Sequence, residues 1–170
     1  MADEDVQAGQ AGQTDQPPQQ QFVMQRIFAK DLSFESPSSP NIFKKQWQPK
    51  VNVELNTKSD LIDEQGNYEV VLTVTITSKV DDETAYLVEV QQAGIFFITG
   101  FEGEDLRRIL GTAAPNILFP YARENIDSVC VKGGFPPVML APVNFEALYQ
   151  QALTQSQNQA AEGGAEASTH

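Results

Sequence analysis

The chain has 170 residues, with 11 Lys and Arg against 23 Asp and Glu, a net charge of −12. That length holds one domain with a real core and is short for two. All eleven Lys and Arg lie between Arg26 and Lys132, where no basic cluster forms; from Phe22 to Gln150 they face 17 acids, a balance of −6. Phosphate neutralisation supplies most nucleic-acid affinity, so no nucleic-acid partner is expected and a basic one is favoured. The single cysteine, Cys130, permits no internal disulfide and fits a reducing compartment. Met1-Ala2-Asp3-Glu4-Asp5 lacks the basic region and apolar run of a secretory signal. The longest nearly apolar run, Ala93 to Ile98, is too short to span a bilayer. A soluble, cytoplasmic protein without membrane insertion is expected.

Residues Met1 to Gln21 are mostly Gln, Gly, Asp and Pro and read as a disordered tail, as does Gln155 to His170. Val23 to Glu35 predicts a long, imperfectly alternating strand. Ser36 to Pro49 holds three prolines with Ile42, Phe43 and Trp47, which predicts a crossover loop rather than a strand. Val51, Val53 and Leu55 alternate with polar residues in a half-buried strand. Tyr68 to Thr77 alternates most clearly of all, with Val71 the one apolar intruder. Thr84 to Ile98 predicts a fourth strand, broken near Gly94. Short polar turns at Asp63 to Asn67 and Asp81 to Glu83 make these strands antiparallel neighbours.

The second half is helical. Glu104 to Leu110 predicts a short helix stopped by Gly111. A longer helix begins near Asn116, with Pro120 in or near its first turn, presents Tyr121, Ala122, Ile126 and Val129, and ends at Gly133-Gly134. Phe135 to Val143 is extended, and Asn144 caps a last helix whose stripe is Phe145, Leu148, Tyr149 and Leu153. The fold class is α+β: a four-stranded antiparallel sheet followed by helices packed on one face. Two open edges and an uncovered face argue against a lone monomer. Ile117, Leu118, Phe119 and Tyr121, crowded between Pro115 and Glu124, mark a surface covered by another chain.

Catalytic signals are lacking. The only histidine is His170, at the chain end, so none stands ready to activate Cys130, which reads as a buried or interfacial thiol. A Cys/His metal site is excluded by count. Gly100-Phe101-Glu102-Gly103 and Lys132-Gly133-Gly134 do not continue into phosphate-binding loops. No enzyme, metal or cofactor is expected. Ile42, Phe43 and Trp47 in the loop, with Phe145, Leu148 and Tyr149 on the last helix, either pack as ordinary core or border an apolar groove.

Four segments occur together: Arg26 to Glu35, Val88-Glu89-Val90-Gln91-Gln92-Ala93-Gly94-Ile95-Phe96, Pro115 to Glu124, and Ala141-Pro142-Val143-Asn144-Phe145. In order and spacing they resemble the SecB family of bacterial protein-export chaperones, over roughly Phe22 to Gln150. The resemblance implies a chaperone domain at 22–154 between tails at 1–21 and 155–170, assembled as a homotetramer, a dimer of dimers. It implies an ATP-independent holdase that keeps preproteins unfolded in the cytoplasm and passes them to the translocation ATPase SecA. It places the client groove at the crossover loop and last helix, hence at Ile42, Phe43, Trp47, Phe145, Leu148 and Tyr149. It places the basic tail of SecA on an acidic sheet face, at Asp31, Glu35, Leu87 and Glu89. Val88 and Ala113 stand where some relatives carry cysteine, which argues against a required thiol. The other reading is an oligomeric adaptor whose apolar segments bury one another and whose acidic face binds one folded partner.

Overall fold

The computed structural model describes residues 19–165, with side chains described through residue 158. Of the segments read as tails, 1–18 and 166–170 lie outside the described residues, and so does His170. Four strands, β1 Gln21–Glu35, β2 Lys50–Leu61, β3 Asn67–Val80 and β4 Glu83–Thr99, precede three helices, α1 Gly103–Gly111, α2 Ala113–Lys132 and α3 Phe145–Ala165. The strands form one antiparallel sheet in the order β1-β4-β3-β2. This is the expected α+β architecture. Because β1 and β2 are opposite edges, the segment between them must cross the end of the sheet; its only regular piece is a 3-10 turn at Asn41–Lys44.

Local chemistry closes the hairpins. In the β2–β3 turn, one Asp63 carboxylate oxygen accepts from the amides of Gln65 and Asn67 at 2.9 and 3.2 Å, and the other from the Asn67 side chain at 2.7 Å. The Asn67 amide holds the Asp63 carboxyl below the usual carboxylate range. Asp81 and Asp82 both take positive φ, 49° and 66°, the paired left-handed form of a two-residue hairpin turn. Aspartate tolerates this better than most side chains.

Two expectations change, and a third is explained. The β3–β4 pairing runs uninterrupted through Val70↔Gly94, so β4 is not broken there. Gly94 serves close approach instead: a Cβ would sit 2.8 Å from the Phe96 ring, 3.0 Å from Leu118 and 3.2 Å from the Arg26 carbonyl. Next, α2 starts at Ala113, so Pro120 is its eighth residue and not part of the first turn. Proline removes the donor for the carbonyl of Asn116, but both residues face solvent, where water replaces it. Last, β1 alternates imperfectly because its register with β4 shifts twice, between Met24 and Arg26 and between Ala29 and Asp31. The helix α3 runs past Thr154, the expected end of the domain, to Ala165.

The core lies between one sheet face and α2. Val70, Leu72, Val74 and Ile76 of β3 and Val88, Val90 and Phe96 of β4 point into it, meeting Leu118, Ala122, Ile126 and Cys130 of α2 at a spacing of four. Gly94→Ala is expected to push α2 off β4 and lower unfolding free energy by about 1–3 kcal/mol, as overpacking does. A urea titration checks this; an unchanged midpoint contradicts the close approach.

Candidate functional site

Inward-facing residues of β2 are covered unequally. By register Val51, Val53 and Leu55 share a face with Ser78, Ile76 and Val74 of β3, all fully buried. Yet Val51 and Val53 remain 43% and 41% exposed, because β2 is the edge strand. Over this edge lies a cleft of about 610 Å³ between Val53 and Leu55 of β2, Leu110 of α1, and Phe145, Leu148 and Tyr149 of α3. The α3 wall is set by three local features. Asn144 caps the helix, its Oδ1 accepting from the Ala147 amide at 3.0 Å. Arg108 of α1 grips Glu146 with its Nε and a terminal nitrogen at 3.2 and 3.1 Å. The Gln150 amide first, then Arg108, hold the Glu146 carboxyl below the usual range. Finally, the Tyr149 ring packs against Gly111, where a Cβ would come within 2.8 Å of it. In the cleft Phe145 is buried and anchors the wall, Tyr149 is half-buried, and Leu148 is 40% exposed and free to touch a ligand.

Ile42, Phe43 and Trp47 form a second apolar group. Phe135 is its hub, with ring centroids 5.0 Å from Phe43, 5.4 Å from Trp47 and 4.9 Å from Tyr86. Ile42 is buried and Trp47 half-buried, whereas Phe43 stands 53% exposed. The six residues therefore do not make one wall. Trp47 sits just before β2, so Val51 and Val53 form an exposed apolar strip leading from the aromatic group to the α3 cleft. Sequence reasoning missed these β2 residues. Their alternation was visible, but nothing local says that β2 is an edge.

The opposite sheet face is polar toward the Glu35 end of β1 and apolar toward the other, where Phe28, Val71, Ala93, Ile95 and Phe97 lie. The pairs Asp31↔Gln91, Ser33↔Glu89 and Glu35↔Leu87 put Asp31, Glu35, Leu87 and Glu89 on that face together. Asp31 and Glu35 are exposed; Leu87 and Glu89 are half-buried. Thr75 donates to Glu89 at 3.3 Å, and Lys30 pairs with Glu69 at 2.7 Å on the same face. In α2, Leu118 is fully buried within the protomer, and Phe119 is buried edge-on against Phe145 at 5.9 Å. Ile117 is half-buried and Tyr121 is 49% exposed, so Tyr121 is the largest part of that block offered to solvent. Among the described residues no three His, Cys, Asp or Glu side chains gather as a metal site. No described helix is long and apolar enough to cross a membrane.

A four-stranded sheet with helices on one face, an open apolar edge and a separate acidic face defines a SecB-like fold. The solved structure of a SecB-like chaperone from Mycobacterium tuberculosis, in complex with an antitoxin peptide, matches it with a TM-score of 0.59. That match spans 72% of this chain and 90% of the other at 15% identity, a likeness of fold. The family model described as "Preprotein translocase subunit SecB" matches residues 15–156. The protein-export protein SecB of Marinobacter nauticus is 52% identical over 170 residues, the whole of both chains. That of Marinomonas sp. is 56% identical over 137 residues, 81% of this chain and 86% of the relative. The chain belongs to the SecB family of protein-export chaperones.

The aromatic group has a pH signature. Burial, with Cys130 beside it, pushes the Tyr86 phenol up to about 12 from an ordinary value near 10. The folded state thus favours the neutral phenol. Its contribution is complete below pH 10 and is lost as pH rises from 10 through 12, at about 1.4 kcal/mol per pH step. Urea midpoints of the parent and Tyr86→Phe should run parallel up to pH 10, with the parent falling faster above it. Parallel curves up to pH 12 would contradict the burial of the hydroxyl.

Proposed function

We propose that this chain is an ATP-independent holdase that binds unfolded preproteins and delivers them to SecA in the cytoplasm. One observation carries the reading: the uncovered inner face of β2, with Val51 and Val53 exposed between the Phe43–Trp47 group and the Leu148–Tyr149 wall. An exposed apolar strip gains area from many sequences without demanding a fixed hydrogen-bond pattern. Folded proteins hide apolar segments, so selectivity for unfolded chains needs no sequence reading. One client side chain gives only about 1.5–3 kcal/mol. Firm holding therefore takes several sites on one long client, which a homotetramer built as a dimer of dimers supplies. Holding itself is mass action, since a binder of the unfolded state draws the equilibrium away from folding.

The acidic face is the proposed site for the basic tail of SecA. Asp31, Glu35 and Glu89 attract that tail from a distance, and Leu87 adds apolar contact among them. The two functions then use opposite faces of one sheet, and a loaded client does not block SecA.

The test needs no nucleotide: aggregation of an unrelated unfolded protein is followed by light scattering with and without the chaperone. Phe43→Ser with Leu148→Ser should weaken client binding about a hundredfold, since both side chains are exposed and each loses about 1.5 kcal/mol of client contact. Binding of SecA should be unchanged. Asp31→Asn with Glu89→Gln should reverse the pattern, weakening SecA and flattening its salt dependence while sparing suppression. A parent protein that suppresses nothing points instead to an adaptor for one folded partner.

The assembly is tested at Tyr121. Tyr121→Asp leaves the protomer core alone and should split the tetramer in sedimentation velocity, because an unpaired charge in a covered interface costs several kcal/mol. An intact tetramer would move the interface off this side of α2.

A further inference from the structure

One buried amide ties α2 to the acidic face. Gln92 of β4 is 2% exposed; its Nε2 donates to the Phe28 carbonyl at 2.9 Å, and its Oε1 accepts from Asn125 Nδ2 of α2 at 2.9 Å. The polarity of this relay is forced. A carbonyl only accepts, so the Gln92 nitrogen must face Phe28, its oxygen must face α2, and residue 125 must donate.

Phe28 lies beside the second register shift of β1. Ala29 pairs with Gln92 and Asp31 with Gln91, so Lys30 is inserted without a partner. Side chains alternate along a strand, and one inserted residue reverses their parity. Ala29 therefore points inward, while Asp31, Ser33 and Glu35 point to the polar face and Leu32 and Phe34 turn in. Without the insertion Asp31 and Glu35 would face the core. Such a bulge interrupts the ladder and leaves main-chain groups to be satisfied from elsewhere. Gln92 satisfies Phe28, and Asn125 keeps Gln92 turned the right way.

We propose that Gln92 and Asn125 are positioning residues that hold the β1 bulge in register and so present Asp31 and Glu35 to a basic partner. The inference rests on the reading of the acidic face as the SecA site. It makes α2, on the far side of the sheet, the element that sets that face.

Asn125→Asp tests it. The shape is kept, but a carboxylate cannot donate, so Gln92 must turn and set its oxygen against the Phe28 carbonyl. The substitution also adds a negative charge, which by itself would tighten a basic partner. The two effects have opposite signs. SecA binding by calorimetry is expected to weaken about tenfold, the worth of one hydrogen bond at the site. Amide hydrogen exchange should speed up at Phe28 to Asp31, with suppression of client aggregation retained. Unchanged or tighter SecA binding overturns the proposal, provided that Asp31→Asn in parallel does weaken SecA. If Asp31→Asn binds as the parent does, the acidic-face reading itself has failed. Asn125→Leu, without donor or charge, serves if the carboxylate prevents folding: the same tenfold loss supports the relay, and parental binding overturns it.

Discussion

One helix is too narrow for this sheet, and most of the molecule follows from that. At 20 residues α2 is about 30 Å long, shorter than strands of 12 to 17 residues at about 3.3 Å each, and its body is only about 10 Å wide. Strands lie about 4.8 Å apart, so such a helix covers two of the four. It lies over β4 and β3, where Val70, Leu72, Val74, Val88 and Val90 are fully buried. The inner side of β2 is left to α1 and α3, which overhang it without closing down. Phe145 packs α3 against Phe119 of α2, and the Tyr149 ring packs it against Gly111 of α1. The open cleft is thus the remainder of an incompletely covered sheet rather than a pocket carved into a finished core.

The sheet separates two chemistries by its pleat. The inner parity of β2, β3 and β4 is mostly apolar; the outer parity carries threonines, Gln91 and Glu89 toward one end and Val71, Ala93, Ile95 and Phe97 toward the other. β4 breaks parity once, where Ala85 is inserted between the partners of Ser78 and Lys79, and β1 breaks it twice. Its first shift, at Gln25, keeps Phe22 and Met24 inward and then brings Ile27 inward; its second, at Lys30, returns Asp31 and Glu35 outward. The inserted Lys30 is itself used on the outer face, where it neutralises Glu69. What remains negative there is concentrated toward the Asp31–Glu35 end and Glu89. Placement of charge is thus a matter of register more than of composition.

Energetics suit the proposed division of labour. In the proposed reading, exposed apolar residues such as Phe43, Val53 and Leu148 would each offer a contact that is individually weak and tolerant of client sequence. The surfaces bearing them stay in place because their supports are buried: Ile42 beneath Phe43, Phe145 beneath Leu148, and Phe135 joining Trp47 to Tyr86.

Much of this was legible along the chain. Alternation located all four strands, Asp63 and the Asp81-Asp82 pair marked the turns, and Asn144 marked the start of α3, because those features depend on neighbours a few residues away. The four family segments carried the family itself. Other features were not legible. Leu118 and Phe119 look like exposed apolar excess in a linear reading, yet they fill the protomer core, since their burial depends on Gly94 and Phe145, distant in sequence. Pro120 looks like a helix start, yet it rides the solvent side of α2 eight residues in. Val51 and Val53 look like any half-buried strand until β2 proves to be the edge. The sequence by itself determined periodicity, turns and caps, and with them the list of elements. Only tertiary structure decided which apolar face stays uncovered and which way the carboxylates of β1 point. Coverage depends on what packs from elsewhere in the chain, and parity turns on a single inserted residue that local pattern does not count.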